Sequence, residues 1–377
     1  MPEIAFFACQ QHENGATAIS DVTLVADRPG ERAAANEHTT MSDYDLFEMG
    51  DLALQCGKTL PEAKLAYKTY GQLAPDRSNL ILYPTSYGAQ HFDTEWLIGS
   101  DRVLDPGKWF IVIPNMFTNG LSTSPSNCVE DYRFGNWPEI THVDNVAAQW
   151  RLLHEVFEVE HIALIYGWSM GAQQALHWGA LYPDEVERIC AVCGSARTSP
   201  HNLVFIEGVK AALTGDAAWR DGWFEGKAEH GLRAMGRVYA GWAMSQAFYR
   251  DGLYEHFGVS TIEDYIVQFW EANFLRRDAN DLLAQLRIWA RSDISANQTY
   301  SNDLPAALAA IRARAIVMPG RTDLYFTAED SKVETAMMPN AEYRPIESKF
   351  GHRAGNPTHC KQDEAVLRKA VQDLLAR

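Results

Sequence analysis

Short apolar runs recur along the chain and alternate with stretches of helical spacing. "KLAYKTYG" (64–71) alternates apolar and polar positions and stops at a glycine, which predicts a strand. The turn "QLAPDRSN" follows, then "LILYPTS" (80–86) and "WFIVIPN" (109–115), continuous apolar runs of buried-strand length. Helical spacing from Val143 to Val156 leads into "HIALIYG" (161–167), again a strand. "GAQQALHWGALY" returns to the helical period, and Pro183 helps to end it. "ERICAVCGSA" makes a fifth strand, after which the pattern breaks at Pro200. It resumes at "RARAIVMPG" (312–320), with a helix around Thr327–Met337 and then "AEYRPIES".

This alternation predicts an α/β fold whose mostly parallel central sheet is covered by helices on both faces. Residues 201–305, rich in Trp, Tyr, Ala, Arg and Asp, read as short helices without strands. The expected organisation is therefore an α/β core, residues 1–200 and 306–377, with a helical lid insertion at 201–305 over its carboxyl-end crevice. The first 50 residues are weakly patterned, and "ADRPGERAAANEH" reads as a loop.

Composition narrows the function classes. A formal charge of −16 argues against nucleic acid as a partner, because phosphate contacts need a basic surface. The six cysteines are too sparse for a disulfide framework, and Cys190 and Cys193 lie in an apolar run that assigns them to core packing. "MPEIAFFACQ" lacks the basic and apolar regions of a signal peptide, and no apolar segment reaches membrane-spanning length. A cytoplasmic location with no membrane partner is expected. None of the twelve histidines forms H-E-x-x-H, so the reading names no metal and no cofactor. The loop "GLSTSPSN" (120–127) offers N–H groups to an anion but lacks a phosphate-loop lysine.

The chemistry concentrates at Gly167-Trp168-Ser169-Met170-Gly171, a G-x-S-x-G between a predicted strand and helix. A tight turn there lifts a serine hydroxyl out of the backbone, while the glycines let strand and helix approach. A nucleophilic serine needs a base and an orienting acid. Asp323 in "PGRTDLYFTAED" and His352 in "SKFGHRAGNP" follow in the order Ser, acid, His, both in loops outside periodic segments. His359 begins a helix, and His177 reads as a packing residue. The backbone N–H of Met170 is one candidate oxyanion donor; the other comes from the loop "PTSYGAQHF", at Ser86 or Tyr87, with Ser86 ahead. Trp168 borders the acyl pocket, whereas Trp178 belongs to the core.

These segments resemble the homoserine O-acetyltransferase family of α/β-hydrolase-fold proteins. The likeness runs through "LAYKTYGQLAPDRSNLIL", "YGWSMGAQQALHWGALYPDEVERI", "FLRRDANDLL", "RTDLYF" and "FGHRAG". It implies Ser169 as nucleophile, Asp323 as acid, His352 as base, an acyl-serine intermediate, a helical lid and a homodimer. It also marks departures. Arg353 stands where the family has an aspartate for the substrate amine. Lys210, with Glu207 nearby, stands where the family has a carboxylate-binding arginine, and Ala172 replaces a glycine. Substrate contacts are thus expected at Tyr87, Trp168, Lys210 and Arg353. Because these departures remove the usual amino-acid acceptor, the favoured expectation is a hydrolase of a small carboxylic ester or related acyl compound. The alternative is an O-acyltransferase using acyl-CoA and a small alcohol.

Overall fold

An eight-stranded sheet organises the computed structural model, which describes residues 43–376. Its strands are β1 (Asp45–Ala53), β2 (Thr59–Tyr70), β3 (Leu80–Leu82), β4 (Phe110–Pro114), β5 (Leu164–Trp168), β6 (Arg188–Val192), β7 (Arg314–Met318) and β8 (Ala341–Tyr343). They lie in the order β1-β2-β4-β3-β5-β6-β7-β8. From β4 to β8 every pairing is parallel, while β2 runs antiparallel to both β1 and β4. The central strands β3 to β6 are almost wholly buried, which is why they read as continuous apolar runs.

Strand β1 begins inside the first 50 residues, which the sequence patterns only weakly. Only Met49 and Leu52 in it are buried, and its pairing with β2 shifts register around Gly50, so neither a clean alternation nor an apolar run marks it. The loop reading of "ADRPGERAAANEH", the leader reading of "MPEIAFFACQ" and Cys9 lie outside the described residues. Cys190 and Cys193 are buried free thiols in and just after β6.

Helices α1 (His142–Glu155) and α2 (Met170–Leu181) belong to the strand–helix alternation. A capping box at Thr141 and Asp144 starts α1. Between β6 and β7 the described residues add no strand to the sheet. They hold α3 (Pro200–Thr214), α4 (Glu229–Ala243), α5 (Gln246–Arg250), α6 (Ile262–Tyr265), α7 (Ala272–Leu275), α8 (Ala279–Ala290) and α9 (Leu304–Ala309). A π-helix at Ile266–Glu271 joins α6 to α7 in one rod. After β7 come α10 (Ala328–Thr335) and, past β8, α11 (Lys361–Leu375).

Helix α3 shows how this segment is held. Phe205, Ile206, Val209 and Leu213 fall on one face and are fully buried. Each such side chain contributes on the order of 1.5–3 kcal/mol. Phe205 packs edge-on to Tyr239 of α4 and lies 4.4 Å, centroid to centroid, from Tyr325 after β7. No helix among the described residues is long and apolar enough to cross a membrane.

Candidate active site

Ser169 sits between β5 and α2 with φ 57° and ψ −127°, a conformation that a non-glycine residue adopts only when its surroundings enforce it. Glycines supply that enforcement. A Cβ on Gly167 would lie 2.2 Å from the Gly171 carbonyl oxygen, and one on Gly171 would lie 2.7 Å from that of Pro84. The strand, the turn and the helix therefore close on each other without side chains between them. Ala172 fits because position 194 is a glycine: a Cβ there would stand 2.5 Å from that of Ala172.

The two downstream loops converge on this turn. His352 Nε2 lies 2.9 Å from Ser169 Oγ, and His352 Nδ1 lies 2.7 Å from Asp323 Oδ2. The other carboxylate oxygen, Oδ1, accepts the backbone N–H groups of Tyr325 (2.8 Å) and Phe326 (3.2 Å), which fixes the acid's orientation. Thr322 Oγ1 couples the acid and histidine loops by donating to the Ser348 carbonyl and accepting from the Gly351 N–H. All three side chains are buried, with Ser169 only 4% exposed. The imidazole is further held by Trp168, whose ring stacks 5.2 Å away and whose Nε1 donates to the His352 carbonyl. On its other side Tyr325 meets it edge-on at 4.7 Å.

Sequence reasoning placed Cys193 in the core and missed its second neighbourhood. Its Sγ lies within 4.8 Å of ligand atoms of both Asp323 and His352. Burial, reinforced by the Asp323 charge, raises the thiol's pKa well above its ordinary value, so it stays protonated and offers no competing nucleophile.

The loop after β3 is fixed from two directions. Ser86 Oγ donates to the Trp168 carbonyl, which pins the loop to the serine turn. From α8, Gln285 accepts the Gly88 N–H at 2.7 Å, and from the preceding turn Arg277 donates to the Gly88 carbonyl at 2.6 Å. Tyr87 Oη donates to the Leu282 carbonyl at 3.2 Å, leaving its ring as the cavity wall. The backbone N–H groups of Ser86, Tyr87 and Met170 donate to no other described residue. "FLRRDANDLL", through Arg277 and Leu282, thus joins Gln285 just beyond it in clamping this loop, a role its sequence did not disclose.

Ser169 opens into a cavity of about 240 Å³. Ser86, Tyr87, Trp168, His352 and Arg353 line it, as do aromatic side chains from the helical segment, chiefly Tyr239, Phe269, Trp270, Phe274 and Trp289. Lys210 does not. It lies on the outer face of α3, opposite the buried Phe205 and Val209, and its ammonium pairs with Glu207 at 3.1 Å. The expectation that it contacts substrate is corrected accordingly. His177 is buried in α2 against His142, and His359 packs on Phe257; neither lines this cavity. Trp178 is a core residue, its Nε1 donating to Gln149. The loop at 120–127 is no anion cradle, because Ser126 N–H and Oγ already donate to the Asp281 carboxylate of α8.

Comparison with known proteins identifies relatives and a family. The chain is 36% identical over 312 residues to an ethyl acetate hydrolase of Pseudomonas veronii, covering 82% of this chain and 89% of that one. A solved acetylester hydrolase from Corynebacterium glutamicum superposes with a TM-score of 0.86 at 31% identity, covering 89% of this chain and 96% of its own. A homoserine O-acetyltransferase of Geobacter sulfurreducens is 29% identical over 356 residues, covering 87% of this chain and 95% of that one. Residues 95–352, more than half of the chain, match the family described as alpha/beta hydrolase fold, and it is to this family that the chain belongs.

Proposed function

We propose that the protein hydrolyses small carboxylic esters through an acyl-serine intermediate. One observation carries this reading: a hydrogen-bonded line Ser169–His352–Asp323 faces a small aromatic cavity. His352 Nε2 takes the Ser169 proton as Oγ attacks the ester carbonyl, and Asp323 stabilises the imidazolium that results. The N–H of Met170, with that of Ser86 or its neighbour Tyr87, holds the oxyanion. His352 then protonates the departing alkoxide. Water attacks the acyl-serine by the reverse proton path, releasing the acid and restoring the hydroxyl.

The size of the cavity favours a small substrate, since sites for drug-sized ligands occupy roughly 300–1,000 Å³. The ethyl acetate hydrolase and acetylester hydrolase relatives point the same way. Lys210 turned outward and Arg353 beside the histidine leave the homoserine-type amine and carboxylate contacts unmade. A second reading, acyl transfer from acyl-CoA to a small alcohol, is supported by the homoserine O-acetyltransferase relative, matched over 95% of its length. The helical segment, residues 201–305, acts in either case as the lid of the α/β core. We place the chain in the cytoplasm as a homodimer, consistent with free thiols at all five described cysteines and with the family resemblance.

The test is acetyl turnover from simple acetate esters and from acetyl-CoA, with and without homoserine, by the protein and by Ser169→Ala. Acetate as the product, acceptor-independent and reduced by about 10⁴-fold or more in the variant, is expected. Acceptor-dependent transfer exceeding hydrolysis would establish the second reading. Turnover that survives the substitution would remove both.

A further inference from the structure

Arg353 occupies an unusual position for a cation. It follows His352 directly and lines the cavity, and its guanidinium carbon lies 5.7 Å from the Trp168 ring centroid and 5.4 Å from that of Phe269. Its Nε is fully enclosed and has no hydrogen-bond partner. Among the described residues its side chain makes one hydrogen bond, a long one of 3.3 Å from Nη2 to the neutral Thr358 hydroxyl. No carboxylate among the described residues lies within ion-pair distance of it.

The neighbouring charges are already committed. Arg276, also in the cavity wall, donates to Asp93 at 2.6 Å and to Asn273 at 2.8 Å. Arg277 donates to the other Asp93 oxygen, so that single carboxylate answers two guanidinium groups. His359 faces Arg353, and its pKa is lowered, first by burial and then by the Arg353 charge; it supplies no counter-charge. Across Asp93, Arg276, Arg277 and Arg353 this group therefore carries an excess of positive charge.

A half-buried guanidinium whose Nε is shut off from water, with no counter-ion, costs free energy unless something in the site compensates. Two aromatic faces attract the cation but leave most of the forked N–H donors unanswered. The geometry points to Arg353 as an anion subsite, so that the substrates include esters bearing a carboxylate besides the scissile bond. This inference rests on the ester-hydrolase reading and names the substrate class within it. The planar fork suits a carboxylate, which it can meet with two N–H groups. Position supports the same end: the guanidinium sits on the ring that stacks against the catalytic-site imidazole, within the cavity that must hold the rest of the ester.

Two matched pairs distinguish where that carboxylate resides. Acetoxyacetate against methyl acetoxyacetate places it in the alcohol portion; monoethyl succinate against diethyl succinate places it in the acyl portion. At low salt, at least one charged member should show kcat/KM about tenfold above its neutral partner. In Arg353→Gln that ratio should collapse to about unity, and in Arg353→Lys it should fall between, because charge remains while the fork is lost. A neutral ester preferred in both pairs, or an unchanged ratio in Arg353→Gln, overturns the inference while leaving ester hydrolysis intact. If the protein cleaves no ester, the hydrolase reading fails, and calorimetric binding to Ser169→Ala decides the subsite separately. Binding of the charged compound about tenfold tighter than its neutral partner, lost on adding Arg353→Gln, sustains it; equal binding sinks it.

Discussion

The serine turn and the aromatic wall face the same cavity but are built on opposite principles. At the turn, specificity of structure comes from missing side chains: Gly167, Gly171 and Gly194 allow backbone approaches that a single Cβ would block. In the wall, Tyr239, Phe269, Trp270 and Trp289 fill space with the largest side chains available. In the proposed mechanism, the turn fixes where a proton and an acyl group move. The wall decides what fits there. The first tolerates almost no change of volume, whereas the second can exchange one ring for another.

Gly194→Ala should have the largest effect of the substitutions that separate these regions. Its Cβ would press on Ala172 and, at 2.9 Å, on the Ser169 carbonyl, displacing the turn itself. We expect about a hundredfold loss in kcat with a stability cost of about 1–3 kcal/mol, measured by ester turnover and denaturant melts. Adding Ala172→Gly should recover part of both, since it relieves one of the two contacts. A Gly194→Ala protein with unaltered kcat would erase the contrast.

Phe269→Ala probes the wall. The half-buried ring lines the cavity and stacks nearly parallel to Tyr265 at 5.4 Å. About a tenfold fall in kcat/KM for a small ester, carried mainly by KM, is expected from steady-state kinetics. A loss confined to kcat would mean that the wall positions the chemistry after all.

The smallest expected effect lies in the pH dependence of stability. Burial and the neighbouring Asp278 push Asp281 up to about 7, and burial likewise pushes Glu334 up to about 7. Both folded-state values exceed those of the unfolded chain, so the folded protein holds the extra protons and its stability falls as pH rises from about 4 to about 7. Asp281→Asn keeps an acceptor for the Ser126 N–H and removes one of these titrations. The slope of unfolding free energy against pH over that window should become shallower without vanishing, because Glu334 remains. A slope identical to that of the unsubstituted protein would show that Asp281 is ionised throughout.

What could be read without the structure follows the same division. Ser169, Asp323 and His352 were legible because the turn demands glycines at fixed places and the fold demands one chain order. The buried strands were legible as apolar runs. Strand β1 was not, since an edge strand with two buried residues carries no pattern of its own. The reading of Lys210 followed the family resemblance, although the apolar spacing of Phe205, Ile206, Val209 and Leu213 already turned that position outward. The wall residues escaped because rings in the helical segment serve both core and cavity, and only packing shows which. Gly355 escaped too: a Cβ there would lie 2.3 Å from Trp168, so the indole's place against His352 depends on a glycine with no motif around it.

The π-helix at Ile266–Glu271 gives the wall a history as well as a shape. Its wider turn holds one residue more than an α-helical turn would. Phe269 and Trp270 reach the cavity there, while Glu271 turns to Arg233 and Arg237 at 2.8 and 2.7 Å. Losing one codon in this stretch would restore regular winding and swing the preceding side chains by roughly 100° about the axis. A descendant could in this way acquire a different appetite in one genetic step, at a place remote in sequence from Ser169, Asp323 and His352.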